Sequence, residues 1–172
     1  MTPSAKYDWL HDYNQIVRIC KDESDRAAAL LAASFLEHVI SEKLKSFFVA
    51  EKSIGKLFEG YGPLASFSAK IDIAFALGLL TRDMKSDLGI VRKVRNHFAH
   101  HPKHTSFADN LVRDLCANLT TAKGISTEDG GVFRQEQPKD QYLFAVVFSL
   151  TYFDRFIAAE SRRKVPKWPL SK

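Results

Sequence analysis

Cysteine is scarce, glycine and proline are few, and no stretch stays apolar long enough to cross a bilayer. The two cysteines, Cys20 and Cys116, stand far apart with no Cys or His at a ligand-like spacing. Neither a disulfide framework nor a cysteine-based zinc site is expected. Both cysteines read as reduced, buried small residues of a cytoplasmic protein. Only 8 Gly and 6 Pro occur among 172 residues, while 45% of the side chains are apolar and 12% aromatic. That balance excludes collagenous, low-complexity and disordered chains and supplies a core. The longest uncharged apolar stretch, Gln141 to Phe153, falls well short of the roughly 20 residues of a spanning helix. The start, MTPSAKYDWLHDYNQ, has no cationic segment leading into an apolar one, so no signal peptide is expected.

What is present is helical spacing and uneven charge. The length suits one domain, expected over residues 1–163 with a basic tail at 164–172. Subtracting 20 acidic from 25 basic side chains leaves a net charge of +5. The excess gathers in two places, Lys85, Arg92, Lys93, Arg95 and Lys103 against Asp87, and Arg162, Arg163, Lys164, Lys167 and Lys172 against Glu160. A face uniting both would attract phosphate-rich partners.

The fold class expected is all-α, a single-domain bundle of about six helices. From Ser24 to about Lys52, one stripe runs through Ala27, Leu30, Leu31, Phe35, His38 and Val39, and a second through Leu36, Ile40, Leu44 and Phe47. A face this wide predicts a central helix, capped by Asp22 or Ser24. Pro63 suits the first turn of the next helix, which ends at Gly78. Thr81 caps a helix that Pro102 terminates near His100 or His101. A further helix spans about Ser106 to Leu119. The glycine-rich segment Thr121 to Lys139 reads as a loop or hairpin. The last helix, Lys139 to about Arg163, is apolar nearly all round, with Phe144, Phe148, Tyr152 and Phe156 opposite Val146, Leu150, Phe153 and Ile157. Such a helix belongs at the bundle centre or in a homodimer interface.

The densest polar cluster is Arg92-Lys93-Val94-Arg95-Asn96-His97-Phe98-Ala99-His100-His101-Pro102. Asn96 and His100 share a helical face, whereas Arg95 and His100 converge only if the helix end loosens before Pro102. Metal-independent RNA cleavage needs a base, an acid and cationic donors for the charge that grows on phosphorus. Histidine and arginine supply these. The bland alternative is structural: histidines in a last turn favour the helix dipole, and Arg95 pairs with Glu37 or Glu42 to pin two helices. His97, His100, His101 and His104 have pairwise helical spacing, but Pro102 breaks the geometry and no HExxH glutamate is present, so no metal site is assigned. No cofactor is expected. The Gly60-Tyr61-Gly62-Pro63 turn, with Ser66, enters a helix whose amides suit an anion, yet it lacks the lysine and serine of a P-loop. Cys116 has no flanking pattern of a nucleophile. Arg162, Arg163 and Lys164, with Trp168 beyond, suit a phosphate backbone or a plain solvated end.

The block Gly62-Pro63-Leu64-Ala65-Ser66-Phe67-Ser68-Ala69-Lys70-Ile71-Asp72-Ile73-Ala74-Phe75-Ala76-Leu77-Gly78-Leu79-Leu80, followed by Asp87-Leu88 and Ile90 to His100, resembles the mannitol operon repressor (MltR) family. The resemblance implies a small, all-helical, oligomeric bacterial transcriptional regulator of repressor type, without an evident DNA-reading motif. How such a protein meets DNA or a partner protein the resemblance leaves open; a protein or nucleic-acid partner, DNA or RNA, is expected, and the charge clusters themselves make Arg92, Lys93, Arg95, Arg162, Arg163 and Lys164 the nucleic-acid-binding candidates. Arg95-Asn96-His97-Phe98-Ala99-His100 is also similar to the signature of HEPN domains, whose toxin and defence members cut RNA as dimers. On that alternative Arg95 would hold the scissile phosphate, Asn96 would position it and His100 would be acid or base. The Gly62 to Leu80 block is the departure from a dedicated toxin.

Overall fold

A computed structural model describes residues 13–101, 105–126, 132–133, 135–155 and 157. Seven helices follow one another: α1 (Tyr13–Asp22), α2 (Asp25–Ser46), the single-turn α3 (Gly55–Phe58), α4 (Phe67–Ala76), α5 (Arg82–His100), α6 (Asn110–Ala117) and α7 (Pro138–Arg155). The expected all-α bundle is what forms, with one short antiparallel hairpin, β1 (Ile125–Ser126) against β2 (Val132–Phe133), where a loop or hairpin was anticipated. No helix among the described residues is long and apolar enough to cross a membrane.

The helix starts follow their caps. The Ser24 hydroxyl accepts the Ala27 N–H at 3.2 Å, Ser66 accepts that of Ala69 at 3.2 Å, and Thr81 accepts that of Met84 at 3.2 Å, each satisfying an amide that the first helical turn leaves free. Pro63 does not begin α4: Leu64 N–H donates instead to the Leu57 carbonyl at 2.7 Å, so residues 63–65 form a turn and the helix waits for Ser66. Likewise α6 starts at Asn110, because the Asp109 carboxylate accepts the Ser106 N–H at 3.1 Å and closes a turn first.

Central α2 packs on α1, α4, α5 and α7. Of the two expected stripes, the second supplies Leu36, Ile40 and Leu44 to the core, whereas no residue of the first is fully buried and alanines take the rest of the core face. Ala28, Ala29, Ala32, Ala33, Leu36, Ile40 and Leu44 are buried, whereas Leu31 and His38 face solvent. Alanines let the neighbouring backbones approach closely, so the small residues take the crowded side. Lengthwise α7 is the second core helix, packed on α1, α2, α5 and α6. Val146, Leu150 and Phe153 are fully buried, and Phe148 is exposed. The bundle-centre reading of this helix therefore holds for most of its faces. Phe156 and the expected continuation to Arg163 lie outside the described residues.

A polar knot joins the helix ends. Asp25 accepts Ser106 Oγ at 2.9 Å and Phe107 N–H at 3.0 Å, while Lys139 Nζ donates to the carbonyls of Lys21 at 3.1 Å and Glu23 at 2.6 Å. Beneath it the rings of Phe98, Phe107 and Tyr142 pack in series, tilted by 49° and 50°, with centroids 5.0 and 5.4 Å apart. The buried Tyr142 hydroxyl donates to Ala29 O at 2.8 Å. Tyr142→Phe keeps the ring and removes only this bond, so a loss of about 1 kcal/mol in urea unfolding is expected.

Candidate functional site

Helix α5 carries the polar cluster, and its two ends are fixed differently. Thr81 caps the start. At the finish Arg26 of α2 reaches across and donates to the carbonyls of Phe98 and His101, acceptors for which the end of a helix supplies no further N–H. The sequence carries a signal for this clamp. Arg26 stands in the first turn of its own helix, where a cation is unfavourable, so its charge serves another helix's carbonyl end.

Held this way, α5 stays helical through His100, and the loosening that would bring His100 back to Arg95 does not occur. The Arg95 guanidinium donates to Asn96 Oδ1 at 3.1 Å. His100 is exposed at the last turn, and the rings of His97 and His101 stack with centroids 4.3 Å apart. Lys93 is exposed away from the Arg92 and Arg95 side chains, which are partly buried. Arg162, Arg163, Lys164, Pro102 and His104 lie outside the described residues.

Three of the expected site residues do come together. Arg92, Arg95 and Asn96 form one wall of a cleft of about 210 Å³, and Ser66 and Ser68 at the start of α4 form the other. Ser66 and Ser68 hydroxyls lie 3.3 Å apart, beside amides of the first α4 turn. Guanidinium groups and a helix start both favour an anion. The serine side was only partly legible, through the turn leading into Ser66.

Glu37 also lines this cleft, but it is not the partner of Arg95 that the sequence suggested. Lys70 of α4 takes it, Nζ to Oε1 2.7 Å, and Glu42 is held by Lys45 at 2.8 Å. Lys70 is the more buried of its pair, and an ammonium there without a carboxylate would carry a large desolvation cost. Its demand outweighs that of Arg95, which reaches the cleft. The helices are pinned by Lys70–Glu37, and the arginines are left facing outward.

The cysteines take no part. Cys20 and Cys116 are free and buried, and burial pushes the Cys116 thiol up to about 12, far from the reactive thiolate range.

Among protein-family models, one described as mannitol repressor matches residues 22–160. The chain belongs to the mannitol repressor family. Membership makes it a repressor-type regulator, as the Gly62 to Leu80 resemblance implied. Two solved structures share the family fold. One is the MtlR–HPr complex from Escherichia coli, with TM-score 0.64 and 14% identity over 82% of this chain and 97% of that one. The other is YggD from Shigella flexneri, described as a possible transcriptional regulator, with TM-score 0.64 and 16% identity over 82% and 98%. At such identities the likeness establishes the fold. A comparison with curated proteins gives no significant match.

Proposed function

We propose that this mannitol repressor family member regulates by docking a partner protein, as a cytoplasmic homodimer, and that the cleft of Arg92, Arg95, Asn96, Ser66 and Ser68 receives an acidic or phosphorylated group of that partner. One observation carries the reading: Glu37, the acidic residue among the described lining of the cleft, is engaged by Lys70, so among the described residues no free carboxylate is left there to neutralise the two guanidinium groups. The similar Escherichia coli protein was solved in complex with HPr, which makes an HPr the first partner to test.

The test is calorimetric titration of the chain with HPr from the same organism. Wild type is expected to bind, and Arg95→Glu to weaken binding about tenfold or more, equivalent to about 1.4 kcal/mol. Unchanged affinity in that variant would place the contact elsewhere. Lys70→Met supplies a second readout. It releases Glu37 toward the arginines and should weaken binding although Lys70 itself is buried.

Nucleic acid is the competing occupant of the same cations. Binding to duplex DNA that falls steeply with added salt, and that Arg92→Glu and Lys93→Glu both weaken, would show phosphate contacts, with Arg162, Arg163 and Lys164 as the further candidates. Wild type and His100→Ala should also be incubated with RNA in EDTA. Cleavage by wild type alone would replace this reading with a HEPN-type ribonuclease, in which Arg95, Asn96 and His100 are catalytic.

A further inference from the structure

A second cleft lies between α5 and α7, lined by the turn Thr120–Lys123 that follows α6, and its chemistry is the reverse of the first. Its volume is about 280 Å³, at the small end of ligand pockets. From α5 come Asp83 and Asp87, four residues apart on one face, and from α7 come Phe148 and Tyr152, also four apart. Thr121 belongs to the lining as well. In a chain of net charge +5, the described lining holds two carboxylates and no basic side chain.

Three features of this cleft are unresolved within the protein itself. Thr121 is only 5% exposed, and its hydroxyl has no hydrogen-bond partner among the described residues. Such a group normally costs stability until something pairs with it. Asp87 is buried too. One of its oxygens accepts the Thr120 N–H at 2.8 Å, and burial pushes its carboxyl above the ordinary value, with the charge of Asp83 adding to the rise against the hydrogen bonds from Thr120 and Thr121. Phe148, finally, keeps 42% of its surface in solvent at the cleft edge, although its neighbours Val146, Ser149 and Leu150 on α7 are buried.

One kind of ligand answers all three. A positive charge offsets two adjacent carboxylates, an N–H pairs with the orphaned hydroxyl once rotation of the Thr121 side chain turns it into the cleft, and an alkyl or methylated ammonium is attracted to aromatic faces. A neutral polyol would satisfy the hydroxyl but leave the carboxylates unbalanced, and an anion would be repelled. We infer that the cleft between α5 and α7 is a binding site for a small organic cation of the alkylammonium class, distinct from the partner-docking cleft. Because the two clefts share no lining residue, failure of either reading leaves the other standing.

The full-length chain, without any partner, should be titrated by calorimetry or NMR with n-butylammonium and choline, and with 3,3-dimethylbutanol as the neutral counterpart of choline. Saturable binding of at least one cation, and none of the alcohol, is expected. Asp83→Asn and Phe148→Ala change exposed residues and should fold normally, confirmed by circular dichroism, yet each should weaken cation binding by about tenfold. Thr121→Val removes the unpaired hydroxyl with little change of shape. It should leave the protein at least as stable as wild type while binding of n-butylammonium falls, a combination that a purely structural Thr121 would not give. Absence of saturation by both cations, equal binding of the alcohol, or affinities unaltered in all three variants would overturn the proposal.

Discussion

Replacing Gly62 by alanine should cost about 3 kcal/mol or more, the upper range for an overpacked site, without touching the hydrophobic core. A Cβ at this position would stand 2.2 Å from the Lys56 carbonyl oxygen, 2.5 Å from that of Leu57 and 2.7 Å from the Leu57 carbonyl carbon. All three are backbone atoms, so no rotamer change gives relief. The chain crosses itself here because Gly62 N–H donates to Glu59 O at 2.8 Å and Leu64 N–H to Leu57 O at 2.7 Å, folding the turn down onto α3. Opening that crossing also moves Ser66, the cap of α4 and one lip of the arginine cleft. Gly60 provides the contrast. Its φ of +56° strains any side chain, but nothing lies within 4 Å of an added Cβ, so Gly60→Ala should cost only about 1 kcal/mol. For a domain of this size a 3 kcal/mol loss lowers the melting temperature by about 6–12 °C. Urea and thermal unfolding of the two variants side by side would check this, and equal losses would mean that the α3 contact yields easily.

How far this was legible differs between the fold and the site, and the difference has a physical cause. Caps at Ser24, Ser66 and Thr81 are local, since acceptor and amide are three residues apart, and two of them were readable from sequence. The glycine turn before α4 was readable as a turn, but Pro63 pointed to a helix start that the Leu57–Leu64 hydrogen bond pre-empts. On α2 the stripe of Leu36, Ile40 and Leu44 was readable and is buried, whereas the stripe through Leu30, Leu31 and Phe35 gave way to alanines on the crowded side. The site depended on longer-range choices. Arg92, Arg95 and Asn96 were identified from their clustering, yet whether Arg95 or Lys70 receives Glu37 is decided by relative burial across three helices. No spacing rule carries that information. The α5–α7 cleft was illegible for a similar reason: its lining includes the turn at Thr120–Lys123, which Asp87 holds from 33 residues away.

Removing the Arg26 clamp should be the second large effect, and it tests what the end of α5 is built to do. Hydrogen bonds to a charged donor contribute about 1.5–3 kcal/mol each, less where water can substitute. One of these two is partly buried and the other exposed, so Arg26→Ala should lose about 2–3 kcal/mol in urea unfolding. Arg26→Lys should recover only part, because an ammonium is a point charge that cannot span two carbonyls as a guanidinium fork does. Hydrogen exchange would locate the loss. Faster exchange in the last turn of α5, with amides around Arg92 unchanged, is expected if the clamp acts on the helix end alone; uniform acceleration would mean that Arg26 supports the whole bundle. Local fraying carries a further consequence for the cluster beyond the clamp. Arg95 and His100 are five residues apart and cannot meet while the helix continues through His100, and Arg26 adds two hydrogen bonds to that end beside the helix's own His101 N–H to His97 O. In Arg26→Ala the two become free to approach each other, whereas Arg92 and Arg95 keep their places in the cleft. Docking of an anionic partner should therefore survive this substitution nearly intact, even as stability falls. A regulator that binds through α5 would tolerate the loss of the clamp, whereas an activity that depends on where His100 stands would not.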